Sequence, residues 1–420
     1  MDDIVIGLHF GDEGKGVSVA RLASRKTPNF VVRFSGGPQT AHNVIHNGIH
    51  HTFAQLGSAT LQRVPTILTR FMLINPFNLM NEGSLIIDKT GWNPFNHLLI
   101  SENALLITPI HRWINQQKEI ARGAAAHGSC GEGVGETRLY DILHPDAAPV
   151  MGDLLPARVE RLKDKLASLA QYAEETIGQK WETSDYAIDL LHANYTGLSS
   201  DRFLNIVDDA FISERLNDGY NIFEGSQGVL LDESLGFFPH TTWSRATPAN
   251  AQTLLEEAGK PAGKVVGVTR TYFTRHGAGP FPSEVEDTEE NRAFFPEAHN
   301  AYGRFQGGWR CGWFDVPLFE YAVRAAGGVD EISVTHADRF FPGMPVVMEY
   351  PDLPTLPADF FNEDWARQEE ITRLLMSRPS PVVKELPELE DFFRLVETVS
   401  SAPVRYVSSG QGTADFTVRG

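Results

Sequence analysis

The sequence predicts an α/β protein with a large, mostly parallel central sheet flanked by helices, and with ligand loops at the carboxyl ends of the strands. Short apolar runs typical of strands alternate with helical patterns, as in βαβ units. Several of these runs end in polar, glycine-bearing loops, where open α/β sheets bind their ligands. We expect residues 1–420 to form a single domain with subdomain excursions.

The first two predicted strands set this pattern. Ile4–Phe10 and Asn29–Phe34 are apolar runs, and each is followed by a loop that contains glycine. Further strands are predicted at Asn221–Glu224, Lys264–Thr269, Glu331–Thr335 and Val404–Val407, with a helix at Leu389–Val399. A helix is also predicted over Pro156–Ala170, since proline suits a first helical position and apolar residues recur on one face. That face is formed by Val159, Leu162, Leu166 and Leu169.

Composition limits the classes of function. The chain has 54 acidic and 36 basic residues, a net charge of −18, which argues against a protein that coats nucleic acid. A nucleotide pocket needs only a few local cations, so the composition does not exclude a nucleotide-binding function. Cys130 and Cys311 are the two cysteines, so we expect no disulfide framework and a reducing compartment. No apolar run reaches the roughly 18 residues of a membrane span, and the acidic N-terminus lacks a signal-peptide pattern. We therefore expect a soluble, cytoplasmic protein that binds neither membrane nor nucleic acid.

The stretch GLHFGDEGKGVSV begins within the first predicted strand, and the loop that it forms differs from a P-loop. Its glycine spacing is shorter than in G-x-x-x-x-G-K-[ST], and Gly16 follows Lys15 where a hydroxyl is expected. Its glycines still allow backbone N–H groups to approach an anion at a helix N-terminus. Asp12 could ligate Mg²⁺ or take a proton from a substrate. The alternative is a tight turn in which Asp12 caps the next helix.

Motifs along nearly the whole chain resemble those of the adenylosuccinate synthetase family. GDEGKG resembles its signature, and GGPQTAHN resembles the loop that ends in Asn-Ala-Gly-His. HGSCGEGVG resembles Gly-Thr-Thr-Gly-x-Gly-x-Gly, and FEGSQGVLLD is close to Phe-Glu-Gly-Ala-Gln-Gly-x-Leu-Leu-Asp. TRHGAGPFPSE nearly reproduces Thr-Arg-Val-Gly-Ala-Gly-Pro-Phe-Pro-Thr-Glu, and RCGWFD matches Arg-x-Gly-Trp-x-Asp.

The resemblance implies a Mg²⁺-dependent ligase that uses GTP to join aspartate to a 6-oxopurine monophosphate through a 6-phosphoryl intermediate. Asp12 matches the general base, His42 the histidine that stabilises the transferring group, and Lys15 a phosphate-contacting lysine. Asp12 and Ala41 match the metal-binding positions. The remaining nucleotide- and phosphate-binding positions are Gly11, Glu13, Gly14, Gly16, Asp338, Ser408, Ser409 and Gly410. Asp338 matches the aspartate that recognises guanine. A homodimer is also implied.

Substrate positions carry most of the departures from the family. The purine monophosphate positions are Gln39, Ser129, Cys130, Gln227 and Thr242. Gln39 replaces an asparagine, and Cys130 replaces a threonine that would be a better donor. The aspartate positions are Tyr302, Arg304 and Arg310, in a loop that lacks the usual threonines. The segment after HGSCGEGVG lacks the arginine pair that crosses the dimer interface in the family, and Arg138 is the only arginine nearby.

These departures leave alternatives open. Viral relatives act on GMP or dGMP, and in several of them the base-position aspartate is replaced. The retained Asp12 favours IMP, but Gln39 could reshape the same pocket. His336 stands where the family has a lysine, so ATP remains an alternative to GTP. A non-catalytic nucleotide-binding paralogue is the alternative from another class of function. It would be favoured if the polar site groups were lost, and they are retained.

Overall fold

The computed structural model describes residues 1–123, 128–182, 186–200, 204–295, 308–353, 356 and 365–420. In chain order, the strands in these residues are β1 (Asp3–Gly7), β2 (Phe30–Arg33), β3 (His42–His46), β4 (Ile49–Phe53), β5 (Thr66–Leu68), β6 (Leu73–Ile74), β7 (Leu98–Ser101), β8 (Leu105–Leu106), β9 (Ile206–Val207), β10 (Asn221–Gly228), β11 (Lys264–Arg270), β12 (Phe273–His276), β13 (Trp309–Gly312), β14 (Phe314–Asp315), β15 (Glu331–Thr335), β16 (Met344–Glu349), β17 (Val382–Leu386), β18 (Val404–Ser408) and β19 (Phe416–Val418).

Helices connect most of these strands. In chain order they are α1 (Lys15–Lys26), α2 (Pro76–Thr90), α3 (Pro109–Arg122), α4 (Val134–Leu143), α5 (Val159–Ile177), α6 (Ala187–Ser200), α7 (Asp209–Leu216), α8 (Ala249–Glu257), α9 (Glu289–Phe294), α10 (Val316–Ala325), α11 (Trp365–Met376) and α12 (Leu389–Ser400). Within the described part of the chain, no helix combines the length and the apolar character that a membrane crossing requires.

A ten-stranded sheet forms the centre of the described structure. Its strand order is β19-β18-β15-β11-β1-β10-β2-β5-β7-β9. Neighbouring strands run parallel from β18 through to β9, and β19 pairs antiparallel with β18 at the edge. The predicted α/β class and parallel sheet are confirmed. Parallel order brings the carboxyl ends of β1, β2, β10, β11, β15 and β18 to one edge of the sheet.

Helices cover both faces of the sheet, and β1 illustrates why. Ile4 and Ile6 pack into one apolar cluster, which also contains Leu318 of α10. Val5 points to the other face and packs with Val17 of α1. Alternate side chains of a strand lie on opposite faces, so a central strand covered on both sides needs a continuous apolar run. This burial is the physical basis of the run that predicted β1.

The predicted elements occur with shifted ends. The helix predicted to begin at Pro156 begins instead at Val159 and continues to Ile177. That starting point is wrong because Pro156 lies in a turn, in which the Arg158 N–H donates to the Leu155 carbonyl over 2.8 Å. The strand predicted to end at residue 224 continues as β10 to residue 228. The helix predicted over residues 389–399 is α12, which ends one residue later.

Candidate active site

A cleft of about 1600 Å³ opens where the loops after the central strands meet. Its lining comes from segments far apart in sequence, including the loop after β1, the segment before β3, and the residues after β15 and β18. The predicted site residues that line it are Gly11, Asp12, Gly14, Lys15, Gly16, Gln39, Ala41, His42, Ser129, Cys130, Gln227, Thr242, Asp338, Ser408 and Gly410. The fold therefore brings most of the sequence-predicted site together.

The loop after β1 is built around a buried ion pair. The Glu13 carboxylate accepts hydrogen bonds from the backbone N–H groups of His9 and Gly11, each over 3.0 Å. Its other oxygen lies 2.6 Å from Nζ of Lys15, and both side chains are buried. These contacts with the buried Glu13 side chain hold the loop in its conformation. Gly228 makes room for this side chain, because a Cβ there would lie 2.0 Å from the His9 carbonyl oxygen and 2.4 Å from Oε1 of Glu13.

The N-terminus of α1 faces the cleft without a side-chain cap. Gly14 is the N-cap residue, with φ 93°. Because glycine has no side chain, the first turn has no side-chain cap. Gly14, Lys15, Gly16 and Val17 all line the cleft. The first N–H groups of a helix have no partner within the helix, and the helix dipole adds positive potential there. This end of α1 is suited to an anion such as phosphate.

Asp12 lies in the same loop in the left-handed backbone region, with φ 61°. Its Oδ2 lies 3.0 Å from Nε2 of His276, the last residue of β12. Burial alone would raise the pKa of Asp12, but the hydrogen bond and charge of His276, with two further cations nearby, hold that pKa below its ordinary value. Asp12 is therefore ionised at neutral pH and can act only as an acceptor.

His42 forms a buried carboxylate–imidazole pair with Glu224. Its Nδ1 lies 2.6 Å from Oε1 of Glu224, and its Nε2 lies 3.2 Å from the Ser226 carbonyl oxygen. Burial would raise the pKa of Glu224, but the Arg33 guanidinium and the hydrogen bond from His42 hold it below its usual value. Ser58 donates to the same carboxylate through its N–H over 2.9 Å and through its hydroxyl. Because Glu224 is ionised, Nδ1 of His42 carries a proton, and the ring orientation is fixed.

Burial also lowers the pKa of His42, and the Glu224 carboxylate opposes that effect. Burial favours the neutral imidazole, whereas the Glu224 and Ser226 oxygens beside the two ring nitrogens favour the imidazolium. A carboxylate on Nδ1 stabilises the imidazolium that would form beside an incoming negative group. This is the arrangement expected of a residue that stabilises charge during a reaction.

Gln39 lines the cleft, and its amide is buried without a partner among the residues that the structure describes. Neither Oε1 nor Nε2 makes a hydrogen bond to the described residues. A buried, unpaired amide costs free energy unless a ligand supplies the partner. Gln227 lies nearby in the cleft and is held on both sides: its Nε2 is 3.4 Å from the Thr40 hydroxyl, and its Oε1 accepts from Ser244 over 3.3 Å.

Ser129, Cys130 and Thr242 occupy another part of the cleft lining. The Ser129 hydroxyl accepts a hydrogen bond from the Asn115 amide over 2.9 Å. Burial raises the pKa of the Cys130 thiol to about 11, so it is uncharged at neutral pH. A neutral thiol is a weak donor, and Ser129 is the better hydrogen-bonding group of the two.

The residues after β15 and β18 also line the cleft. Asp338 faces the cleft and forms an ion pair with Nε of Arg339 over 3.3 Å. His336 lies against Arg270, whose Nη2 is 2.7 Å from the ring Nε2. Burial and the charge of Arg270 keep the pKa of His336 well below its ordinary value. His336 is therefore neutral, unlike the lysine that the resemblance predicts at this position.

Three predicted residues lie outside the described cleft lining, and two lie outside the described residues. Glu13 is the buried side chain described above. The Ser409 N–H donates to the Asp415 carbonyl over 3.0 Å. Arg310 makes a two-point ion pair with Glu284, with both N–O distances 2.8 Å. Tyr302 and Arg304 lie outside the described residues.

The sequence reasoning missed Glu224 and His276. Glu224 lies 182 residues from His42 in the chain, so spacing could not reveal the pair. Its position inside FEGSQG, three residues before Gln227, was the available signal. His276 stands where the family motif has valine, and a titratable residue at an apolar position was a signal of altered local chemistry.

The fold and the cleft together define an α/β protein with a loop suited to an anion at the carboxyl ends of its central strands. The adenylosuccinate synthetase family model matches residues 4–417. The chain therefore belongs to the adenylosuccinate synthetase family, and it is a ligase that forms a carbon–nitrogen bond.

Similar proteins support this membership. An adenylosuccinate synthetase from Thermoplasma volcanium is 32% identical over 347 residues, which cover 80% of this chain and 75% of that protein. The solved structure of the fully ligated adenylosuccinate synthetase from Plasmodium falciparum matches with a TM-score of 0.82 and 20% identity over 100% of both chains. The succinoaminodeoxyadenylate synthetase of cyanophage S-2L, solved with dGMP and with dATP as energy donor, matches with a TM-score of 0.63 and 19% identity. That match covers 99% of this chain and 94% of the cyanophage chain. At these identities the two structures show the shared fold.

Proposed function

We propose that this protein joins L-aspartate to the 6-position of IMP, using GTP, and produces adenylosuccinate through a 6-phosphoryl intermediate. The observation that carries the proposal is the placement of Asp12 and His42 on one cleft. Asp12 is an ionised carboxylate, and His42 is a histidine held by a buried glutamate. A proton acceptor and a group that stabilises developing charge are the two functions that the chemistry requires.

The proposed reaction begins with proton transfer to Asp12. The N1–H bond of the purine breaks, its electrons move through the ring to O6, and the proton binds an Asp12 oxygen. O6 then attacks the γ-phosphorus of GTP, and GDP leaves. His42 stabilises charge on the transferring phosphoryl group, while the N-terminus of α1 and Lys15 hold phosphate oxygens. Finally, the aspartate amine attacks C6, the C6–O6 bond breaks, and inorganic phosphate leaves with one of the amine protons.

Gln39 and Gln227 would hold the purine monophosphate, together with Ser129, Cys130 and Thr242. The unpaired amide of Gln39 supports this part of the proposal, because a purine edge offers both donors and acceptors. The same observation supports a second candidate, the reaction on GMP or dGMP. The Gln39 carbonyl could accept a hydrogen bond from a 2-amino group, and the cyanophage structure holds dGMP. The retained Asp12 favours IMP.

GTP is the proposed energy donor, and Asp338 supports it. Its carboxylate lines the cleft and suits the N1–H and 2-amino donors of guanine, whereas it would repel the acceptor edge of adenine. Ser408, Ser409 and Gly410 would complete the guanine pocket. Because a neutral His336 replaces the lysine of the family, ATP is the alternative energy donor and should be tested beside GTP.

Mg²⁺ is the proposed cofactor, and the Asp12 carboxylate and the Ala41 carbonyl would hold it. Both residues line the cleft and supply oxygen, the ligand type that Mg²⁺ prefers. Among the described residues there is no group of three histidine, cysteine, aspartate or glutamate side chains that could hold a metal. This donor set fits an ion held mainly by substrate phosphates and water. When bound, Mg²⁺ would neutralise charge on the phosphates.

Aspartate would bind through Tyr302, Arg304 and Arg310. Two arginines can hold a carboxylate through paired hydrogen bonds, which supports the assignment. The Arg310 guanidinium is engaged by Glu284, so we propose that it contributes through the backbone that it holds or exchanges partners when aspartate enters.

We also propose a homodimer. Ile142 and Leu143 at the end of α4 and Trp243 beside the cleft are 57%, 53% and 42% exposed. Exposed apolar side chains such as these support an interface with a second copy, and the family resemblance implies one. Analytical ultracentrifugation would give a mass near twice 46.6 kDa if the chain dimerises.

Phosphate release tests the proposed function. Wild-type protein with Mg²⁺ should release inorganic phosphate only when purine monophosphate, GTP and aspartate are all present. Asp12→Asn should bind nucleotides but lose at least about 100-fold in kcat, because general-base catalysis contributes roughly 10²–10⁴-fold. Release without purine or aspartate would identify a simple GTPase. Nucleotide binding without release would identify the non-catalytic alternative.

A further inference from the structure

A short turn near the end of the chain lies between the cleft and the hairpin that carries His42. Ser408, Gly410 and Gln411, at and after the end of β18, line the cleft. The next residues, Thr413–Asp415, form a 3₁₀ turn that leads into β19. The proposed function assigns the loop before this turn to the base of GTP. The contacts of the turn therefore show which groups recognition of that base could influence.

Asp415 ties the cleft-lining loop to this turn. The Gly412 N–H donates to Oδ2 of Asp415 over 2.8 Å, and the Ser409 N–H donates to the Asp415 carbonyl over 3.0 Å. Gly410 lies directly against the same side chain, because a Cβ at this position would collide with the Asp415 carboxylate. The loop and the turn are therefore held together as one unit.

The same unit contacts β3 through the backbone and through a side chain. Ile45 forms an isolated parallel bridge with Gly412, so the backbone of β3 pairs with the end of the loop. One residue further along each segment, Nδ1 of His46 lies 3.2 Å from the hydroxyl oxygen of Thr413. Thr413 is buried, and a buried hydroxyl that loses its partner costs free energy. The side-chain hydrogen bond thus adds a specific contact to the backbone bridge.

The strand β3 extends from this contact to His42. It begins at His42 and ends at His46, and at about 3.4 Å per residue the two lie roughly 14 Å apart. Its hairpin with β4 is closed by Asn47 and Gly48, with φ 50° and 77°, as a two-residue type I′ turn requires. Val44, in the middle of the strand, is fully buried. The short turn and the buried side chain restrict bending, so a displacement at His46 also moves His42.

At the other end of β3, His42 packs on the end of α1 that suits an anion. A Cβ on Gly16 would lie 2.6 Å from Cβ of His42, so His42 directly contacts the first turn of this helix. Its two ring nitrogens contact Glu224 and Ser226 of β10. A small displacement of β3 would therefore change the position of the ring relative to a phosphoryl group at the helix end.

We infer that Thr413 and His46 are positioning residues: their contact couples the loop that would bind the base of GTP to the placement of His42. The inference rests on the proposed function for the assignment of that loop and for the role of His42. Binding energy from a remote part of a substrate raises kcat when it fixes groups at the reacting centre. The base is such a remote part, since only the γ-phosphoryl group of GTP is transferred.

The test compares two triphosphates in Thr413→Val, which loses the hydroxyl, and in Thr413→Ser, which retains it. ITP lacks the 2-amino group that Asp338 would accept from. We expect wild-type kcat to be at least about fivefold higher with GTP than with ITP, in keeping with loss of a hydrogen bond to a charged group. In Thr413→Val, kcat with GTP should fall to within about twofold of the ITP value, which should stay unchanged. Thr413→Ser should retain the wild-type ratio.

A variant on the other side of the contact provides the matched comparison. His46→Leu should lower the kcat ratio as Thr413→Val does, and the double variant should show no further loss, since both remove the same hydrogen bond. An unchanged ratio in Thr413→Val would overturn the inference, and so would equal kcat values with GTP and ITP in the wild-type protein. An equal loss with both triphosphates would show that Thr413 only supports the structure, and it would overturn the inference as well.

A second measurement is independent of turnover. Protein labelled with ¹⁵N-histidine, in the presence of excess IMP, would be titrated with guanosine, which supplies the base without a phosphate. The inference predicts that guanosine shifts the His42 ring signals, assigned with His42→Asn, in the wild-type protein and not in Thr413→Val. No shift in the wild-type protein would overturn the inference. A shift in a protein that joins aspartate to no purine would refute the proposed function and leave the coupling intact.

Discussion

The pairing of Glu224 with His42 leads to a prediction that separates orientation from substrate contact. Glu224 is fully buried and is outside the described cleft lining, so it would influence the reaction through His42. Glu224→Gln keeps the size of the side chain but replaces one acceptor oxygen with a donor NH₂. The variant therefore changes the pair and leaves the shape of the cleft intact.

The structure sets the size of the expected effect. One carboxylate oxygen accepts from His42 Nδ1 over 2.6 Å, and the other accepts from the Ser58 N–H over 2.9 Å. With the NH₂ group toward Ser58, a buried N–H donor is left unpaired, and with it toward His42, the ring proton must leave Nδ1 for Nε2, so the present pair is lost in either orientation. Loss of a hydrogen bond to a charged group costs about 1.5–3 kcal/mol, and about 1.4 kcal/mol corresponds to a factor of ten. We expect the free energy of unfolding to fall by about this amount and kcat to fall roughly 10–100-fold.

Steady-state kinetics on a double-mutant cycle provide the assay. If Glu224 acts through His42, then Glu224→Gln should have little further effect on kcat in a His42→Asn background, since the residue it orients is gone. The KM values for purine monophosphate and GTP should stay within about threefold of wild type. Full kcat in Glu224→Gln would refute the reasoning. So would losses that multiply across the two variants.

Three further predictions concern stability and nucleotide choice. Gly228→Ala should lower the free energy of unfolding by at least about 1–3 kcal/mol, because its Cβ would lie 2.0 Å from a backbone oxygen. The matched control, Gly197→Ala, places a Cβ in open space within α6 and should not destabilise; thermal melts of both variants would check this. Burial raises the pKa of Glu82 to about 7, so the folded state binds this proton more tightly than the unfolded state does. The Glu82 contribution to the free energy of unfolding should therefore rise by about 1.3 kcal/mol from pH 8 to pH 6. Urea titrations of the wild type and Glu82→Gln would measure this. The prediction is contradicted if the free energy of unfolding of the wild type changes with pH no more steeply than that of Glu82→Gln. Asp338→Asn should raise the KM for GTP by roughly tenfold and leave the KM for the purine monophosphate unchanged, whereas a rise in both would place Asp338 elsewhere in the reaction.

Much of the fold followed from the sequence because the central strands are buried on both faces. A strand such as β1 must be apolar at successive positions, and that run is visible without any partner. The glycine-bearing loops could then be assigned to one edge, since parallel strands share a direction. The ends of the helices were harder to predict from the sequence. Pro156 suits a first helical position and equally suits the turn in which it lies.

The site was predictable where a motif is local and hidden where the contact is tertiary. The loop around Asp12 and Lys15 combines glycines, a carboxylate and a cation in consecutive residues, so its chemistry could be interpreted directly. Glu224 and His276 contact residues more than 180 positions away in the chain, and no spacing rule connects them. The pairing of Arg310 with Glu284 depends on how β12 and β13 fold together, which the motif alone did not show.

Mass spectrometry of the reaction product tests the central claim most directly. Purified protein, Mg²⁺ and aspartate would be incubated with IMP, GMP, dGMP or dIMP, each with GTP or ATP, and with Asp12→Asn as the matched control. The account predicts a succino-adduct of IMP with GTP, formed by the wild-type protein and lost in the control. An adduct only with GMP or dGMP would support the proposed reaction but identify a 2-amino purine monophosphate as its substrate. No adduct with any of the purines, or an undiminished adduct in Asp12→Asn, would contradict the account.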